Sequence, residues 1–275
     1  MRLAYQGEPG AYSEAAALEY GGPDVETLPC KSFDEVFDAV VKKRATHGVV
    51  PLENSVGGTI HRNYDLLLDH ELPITGEVEL DVVHCLQALP GTTLADIKTV
   101  YSHPQALAQC ERYLKDLGVT VEAVYDTAGG AKLVAEQKLT NAAALASRRA
   151  AEVFGLEVLQ EAVQDFEYNI TRFAIIGGTA PAGADKTTIV FALPSTPGAL
   201  FKALSIFALR DINLAKLESR PMRGSPWEYL FYVEVEARRD DLPCARALMH
   251  LAEFAKWSRV LGSYKGAVHR YNPAP

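Results

Sequence analysis

The chain has 275 residues, 48% of them apolar and 23% charged, the balance of an ordinary globular protein with length enough for two cores. Its net charge of −8 argues against a nucleic-acid partner, which calls for clustered positive charge, yet leaves an anionic small molecule open because a site's charge is local. No apolar run approaches the roughly 18 residues of a membrane span and no apolar leader core opens the chain, so a cytoplasmic protein without a membrane partner is expected.

Leu3-Ala4-Tyr5 reads as a short strand and Ala11 to Tyr20 as a helix. Ser32 followed by Glu35 is a capping box, and Phe33, Val36, Phe37, Val40 and Val41 behind it share one helical face. Gly48-Val49-Val50 is strand-like, Ile60, Tyr64, Leu67 and Leu68 repeat the helical spacing, and Leu80 to Ala88 reads as one long strand. Further strands are expected near 99–101, 119–124, 142–146 and 170–176, with helices opening near Pro104, Thr127 and Ser147. This alternation predicts an α/β domain with largely parallel sheets. "AYQGEPGAYSEAA" and "VYSHPQALAQC" each run from a strand ending in Tyr, through a polar turn with Pro, into a helix. The echo suggests two lobes. Ligands of open α/β sheets sit beyond the carboxyl ends of the strands, so the turns after Tyr5, Val50 and Tyr101 are expected to share a cleft with Thr171.

Residues 177–185, "GGTAPAGAD", are small and flexible and read as a linker. Beyond it the pattern changes. "KTTIVFAL" is a strand, Thr196-Pro197 an N-cap with Pro at the first helical position, and Leu200, Leu204, Phe207 and Ala208 the inner face of a helix. "NLAKLESRP" and "YLFYVEVE" are strands, Ala245, Leu248, Met249 and Ala252 mark a second helix, and a last strand lies near Val260. The order βαββαβ is that of a ferredoxin-like domain.

Chemistry-bearing residues gather in four stretches. "NITRFAII" sets Thr171 and Arg172 at the mouth of an apolar strand. "VVPLENSVGG" places Glu53, Asn54 and Ser55 after a strand and before paired glycines that let backbone approach a ligand. "YSHPQA" offers Ser102 and Gln105, which also fit a capping box, and His103, which has no obvious partner. "DTAGGA" reads as a helix start at Asp126 or Thr127, whose exposed amides attract carboxylates. There is no Gly-x-Gly-x-x-Gly fingerprint, no Walker loop, no His-Glu-x-x-His, and no Cys-x-x-Cys among Cys30, Cys85, Cys110 and Cys244. The residues alone describe a small-anion site between two lobes, with no cofactor and no metal. Either a cofactor-free enzyme or a two-lobed ligand sensor fits that description.

These motifs, in this order from residue 2 to the end of the chain, resemble the prephenate dehydratase family, with "NITRFAII" the most telling. "PGALF" (197–201) and "ESRP" (218–221) resemble its ACT regulatory domain. The resemblance implies a two-lobed catalytic domain like type II periplasmic binding proteins over 1–178, hinged near 75–80 and 165–172, and an ACT domain over 186–275. It implies a monofunctional, cofactor-free conversion of prephenate to phenylpyruvate, water and carbon dioxide. Arogenate is the alternative substrate, and a non-catalytic amino-acid sensor the remote alternative. Thr171 is the implied donor to the departing hydroxyl and Arg172 the carboxylate ligand. Glu53, Asn54, Ser55, Ser102, Thr127 and Phe173 fall on cleft positions. The ACT resemblance implies feedback by L-phenylalanine through Gly198, Ala199, Leu200, Asn213, Leu214, Glu218 and Ser219, in a homodimer or homotetramer.

Overall fold

Two of the strand segments near the N-terminus are apolar enough to lie side by side, and a third, more polar one takes the edge. In the structure, a computed structural model describing residues 1–267, β1 (Arg2–Gln6) pairs in parallel with β2 (Glu26–Cys30) and β3 (His47–Asn54). Leu3, Ala4 and Tyr5 are wholly buried, as a strand flanked on both sides requires. The connecting helices are α1 (Tyr12–Gly21) and α2 (Phe33–Val41). The Ser32 side chain caps α2 through the Glu35 amide, as its sequence predicts, and Val36, Phe37 and Val40 are buried. A short β4 (Gly58–Thr59) returns on β3, α3 (His61–Asp69) follows, and β5 (Ile74–Asp81) completes this sheet together with β11 (Ile170–Ile176). The strand order is β2-β1-β3-β11-β5.

The long strand expected over 80–88 is broken. β5 ends at Asp81 and β6 (Cys85–Ala88) belongs to a second sheet, so Val82, Val83 and His84 carry the chain across. That sheet contains β7 (Thr99–Ser102), β8 (Thr120–Ala123), β9 (Ala142–Ala146) and β10 (Glu157–Gln160), in the order β10-β6-β9-β7-β8. Its helices are α4 (Pro104–Gln109), α5 (Glu111–Leu117), α6 (Thr127–Glu136) and α7 (Arg148–Phe154). The chain returns to the first sheet through residues 161–169. β7 pairs in parallel with β8 and β9, while β6 is antiparallel to β9 and β10.

The two sheets thus form two lobes, and their helices share one core. Ala16 and Ala17 of α1, Ala128 and Ala131 of α6, and Ala150 and Ala151 of α7 pack with Leu3, Val49 and Phe173. Small side chains set this close approach. Within the second lobe Gly130 lets α6 lie close on β7, because a Cβ there would stand 2.9 Å from the Tyr101 carbonyl oxygen. Across the seam between the lobes the Ser147 hydroxyl donates to the Gly10 carbonyl (2.6 Å), and Arg149 pairs with the buried Glu14 (2.7 Å).

The described chain falls into two compact units, Met1–His70 with Val78–Ile175 and Glu71–Glu77 with the residues from Ile176 to 267. In the second, β12 (Lys186–Ala192), α8 (Ala199–Ala208), β13 (Leu214–Pro221), β14 (Tyr229–Val235), α9 (Leu242–Phe254) and β15 (Trp257–Tyr264) form the antiparallel order β13-β14-β12-β15. This is the ferredoxin-like βαββαβ fold. Phe191, Phe207, Ile206, Val233, Val235 and Leu251 fill the layer between sheet and helices. The helix after β12 begins later than Thr196-Pro197 predicts: Gly198, at φ +74°, is the N-cap, and Ala199 bonds back to the Thr196 carbonyl. Residues 71–77 lie on this sheet, where Glu77 pairs with Lys186 (2.7 Å). A Cβ on Gly262 would stand 2.1 Å from the Ile74 carbonyl oxygen, so only glycine admits that segment. The expected end of this domain, residues 268–275, lies outside the described residues.

Gly10 tests the seam between the lobes. It sits at φ +90°, and a Cβ there would be 2.6 Å from the Ala150 Cα. Gly10→Ala is expected to lower stability by about 2–3 kcal/mol, from backbone strain and overpacking together. An unchanged urea midpoint would show that the seam yields freely.

Candidate active site

A cleft of about 470 Å³ opens between the two lobes of the first unit. Four helices begin at its wall: Tyr12 and Ser13 come from α1, Ser32, Phe33 and Asp34 from the start of α2, His103 and Gln105 from the start of α4, and Asp126 and Thr127 from the start of α6. Amide hydrogens and the positive ends of helix dipoles therefore face one space, which suits a carboxylate. Three of these starts are capped by a side chain. Ser32 accepts from the Glu35 amide, His103 from the Gln105 amide and Asp126 from the Gly129 amide. The N-cap of α1, Ala11, provides no side-chain acceptor, so the first amides of α1 are the ones a ligand can take up.

The strand of "NITRFAII" divides its side chains by the two-residue period of β-structure. Thr171 and Phe173 of β11 line the cleft. Arg172 turns to the other side, where its guanidinium pairs with Glu53 of β3 at 2.9 Å, and neither residue lines the cleft. Asn54 lines the cleft and is the hub of a buried network. Its Oδ1 accepts from the amides of Val56 (3.1 Å) and Gly57 (2.6 Å), and its Nδ2 donates to Asn169 Oδ1 (2.7 Å) and to Thr171 Oγ (2.9 Å). Thr171 Oγ accepts from Asn54, so its own proton remains available to a group in the cleft that the residue lines. Ser55 stands aside from the wall, its hydroxyl bonded to the Ile170 amide (2.9 Å) and the Tyr168 carbonyl (3.2 Å).

Besides Arg172, Glu53 and Ser55, expected at the ligand and found off the cleft wall, two further expectations change here. Ser102 is fully buried, donates to the Leu145 carbonyl (2.6 Å) and does not line the cleft; the cap of α4 is His103 rather than a Ser102–Gln105 box. The space over Gly57, expected for a ligand, is filled by Gln105, whose Nε2 lies 1.8 Å from where a Cβ would be. Residues that the sequence did not single out also build the site: Tyr12, Ser13, Asp34, His84 and Gln109. Gln109 carried only one signal, its place a turn into the helix after "YSHPQ". His84 lay inside the supposed long strand and carried none.

Burial pushes the His84 and His103 imidazoles below the ordinary histidine pKa, and Asp126, also buried, above the ordinary carboxylate value. Asp34 is tied at the rim to Arg62. Among the described residues no three His, Cys, Asp or Glu side chains converge as a metal site would require.

Comparison with known proteins decides the family. The prephenate dehydratase profile matches residues 3–181 and the ACT domain profile residues 187–248. The chain belongs to the prephenate dehydratase family. It is a lyase of that family with a C-terminal ACT domain. The chain is 52% identical to arogenate dehydratase/prephenate dehydratase 2, chloroplastic, of Arabidopsis thaliana, across 96% of the chain and 72% of the relative. The crystal structure of prephenate dehydratase in complex with L-Phe from Arthrobacter aurescens superposes with a TM-score of 0.88 at 32% identity, covering 100% of this chain and 92% of that one. A second structure, GqqA, described as a novel type of quorum quenching acylase, superposes with a TM-score of 0.90 at 38% identity, covering 98% and 100%. The cytoplasmic location expected from the sequence is corrected by these relatives, since the Arabidopsis protein is chloroplastic.

The buried imidazoles give a pH test. As pH falls through ~6.5 the unfolded chain takes up protons that the folded chain refuses, so stability falls with pH until the lower folded values are reached. Asp126 works the other way, in the carboxylate range. The urea midpoint is expected to drop between about pH 7.5 and about 5.5, and to drop less in His84→Gln.

Proposed function

We propose that the chain catalyses the decarboxylating dehydration of prephenate, forming phenylpyruvate, water and carbon dioxide. The bond from the ring to its carboxylate breaks, that electron pair enters the ring, and hydroxide leaves from the opposite carbon and takes up a proton from solvent to become water. Aromatisation drives the step, so the protein need only position two carboxylates and help a poor leaving group. The observation that carries the reading is the Asn54–Thr171 bond of 2.9 Å, in which the Thr171 oxygen accepts and its proton is kept for a group in the cleft. A threonine is too weak an acid to protonate hydroxide early. It stabilises the charge growing on the leaving oxygen, a role worth about 3–4 kcal/mol.

The amides opening α1, together with Ser13 and Thr127, receive a substrate carboxylate, and Phe173 supplies an apolar wall. Arg172 and Glu53 hold β11 against β3 from behind, which keeps Thr171 in place. A dry setting suits the carboxylate that must leave as carbon dioxide, because a tight ion pair there would favour the ground state over the transition state. Arogenate is the second reading. It carries an ammonium in place of the keto oxygen, and the wall offers carboxylates at Asp34 and Asp126. The 52%-identical relative, whose name covers both activities, supports the same reading and a plastid setting.

Regulation by L-phenylalanine follows from the ACT domain and from the Phe-bound relative. Gly198, Ala199 and Leu200 open α8, whereas Asn213 and Leu214 lie past its other end, about 15 Å away along the helix. One chain therefore does not bring both groups to one small ligand. A second copy meeting the edge strand β13, which carries Glu218 and Ser219, would do so, and a homodimer or homotetramer is our reading.

Steady-state assays with each substrate test the activity. Thr171→Val is expected to lower kcat by roughly a hundred- to a thousandfold with little change in KM; a Thr171→Val enzyme as fast as its parent would remove the proposed role. For regulation, Asn213→Ala is expected to retain the uninhibited rate while needing about tenfold more phenylalanine for half-inhibition, the loss of one hydrogen bond. Unaltered inhibition would place the effector elsewhere.

A further inference from the structure

His84 stands at the crossing between the two sheets, 2% exposed, and no motif marks it. Its ring joins two side chains of the cleft wall: Nε2 lies 2.9 Å from Gln109 Oε1, and Nδ1 lies 3.0 Å from the Tyr12 hydroxyl. Which nitrogen carries the proton follows from the network, starting at groups that cannot change role. The amides of Val56 and Gly57 can only donate, so the atom of Asn54 they meet is its oxygen. The NH2 of Asn54 then faces Asn169 Oδ1 and Thr171 Oγ. Gln109 approaches Asn54 Oδ1 at 3.3 Å and must present its own NH2 there. Its oxygen is thereby turned to Asn169 Nδ2 (2.9 Å) and to His84. An oxygen can only accept, so His84 Nε2 must donate.

We propose that His84 is a positioning residue for Thr171: held as the Nε2–H tautomer, it fixes the Gln109 amide and, through Asn54, the direction of the Thr171 hydroxyl. Tyr12 accommodates that tautomer without dictating it. Its single proton can go to the Val83 carbonyl, 2.7 Å away, or to His84 Nδ1, 3.0 Å away, and its oxygen can also accept. With the imidazole proton set on Nε2 by Gln109, Nδ1 is the acceptor and the Tyr12 hydroxyl can turn to it. Burial of the ring opposes protonation and so maintains that state. If the proton moved to Nδ1, a bare Nε2 would face Gln109 Oε1 and drive the amide to flip. The flip would bring the Gln109 NH2 against Asn169 Nδ2 and its oxygen against Asn54 Oδ1, so the support of Thr171 would be lost. The two crossings of the chain meet at the same residue, because the Val163 amide donates to the His84 carbonyl and the His84 amide to Gln164 Oε1. The imidazole is therefore fixed to the frame of both lobes.

This inference rests on the dehydratase reading, and its test separates the two. Nitrogen-15 NMR of the imidazoles, in the parent enzyme near neutral pH, is expected to show His84 protonated on Nε2; an Nδ1–H signal overturns the inference whatever the activity. His84→Leu is expected to lose about a hundredfold in kcat, the cost of a small misplacement at the reacting group, with KM nearly unchanged. His84→Gln, whose NH2 falls near the Nε2 position, is expected to recover most of that loss. A His84→Leu enzyme with parental kcat, or a rise in KM alone, overturns the positioning role. Should His84→Leu fail to fold, His84→Gln as slow as His84→Asn, which places no donor there, overturns it equally. A parent inactive on both substrates defeats the dehydratase reading instead, and leaves the NMR result to decide the tautomer.

Discussion

Two backbone amides, those of Val56 and Gly57, set the polarity of the buried network around Thr171. They meet one oxygen of Asn54, and because an amide nitrogen can only donate, the rest of that side chain is obliged to donate in turn. From that constraint follow the orientation of Asn169, of Gln109 and of Thr171, each buried and each satisfied by the next. A buried polar network that is fully paired is rigid, since any rotation leaves a donor or acceptor without a partner in a place water does not reach. Rigidity is what a hydroxyl must have to act on a departing oxygen, because its contribution depends on being aimed before the bond breaks.

The rest of the first unit can be understood as support for that network. Asn54 and Thr171 belong to the first sheet and Gln109 to a helix of the second lobe, so the network spans the cleft floor and needs the two lobes held in register. Alanine-rich helices and Gly10 allow that register by letting backbones approach closely, and the Glu14–Arg149 pair and the Ser147 hydroxyl tie the same seam. Four helix starts around the cleft turn their dipole ends to it, α1 adds uncapped amides, and none of them places a formal positive charge at the wall. In the second unit the ferredoxin-like sheet leaves β13 at its edge and divides the expected effector residues between the two ends of α8.

Much of this was legible beforehand. Alternation of strands and helices, the capping box at Ser32 and the βαββαβ order after residue 186 come from local periodicity, and local periodicity is a property of neighbours in the chain. The resemblance marked Thr171, Asn54, Thr127 and Phe173, and all four line the cleft. It also marked Arg172, Glu53, Ser55 and Ser102, which the structure places behind the wall or within hydrogen bonds of their own. Adjacent residues of a strand point to opposite faces, so a motif written as consecutive letters cannot say which of its members meets the ligand.

By itself the sequence determined the two kinds of fold and the stretch that carries Thr171, because each is encoded by residues close together in the chain. Only the tertiary structure decided which side chains converge. His84, Gln109 and Tyr12 stand up to 97 residues apart along the chain, and their hydrogen bonds exist because two sheets were brought face to face. The direction of a hydroxyl proton is set by what its oxygen accepts, and that partner, Asn54, lies on another strand.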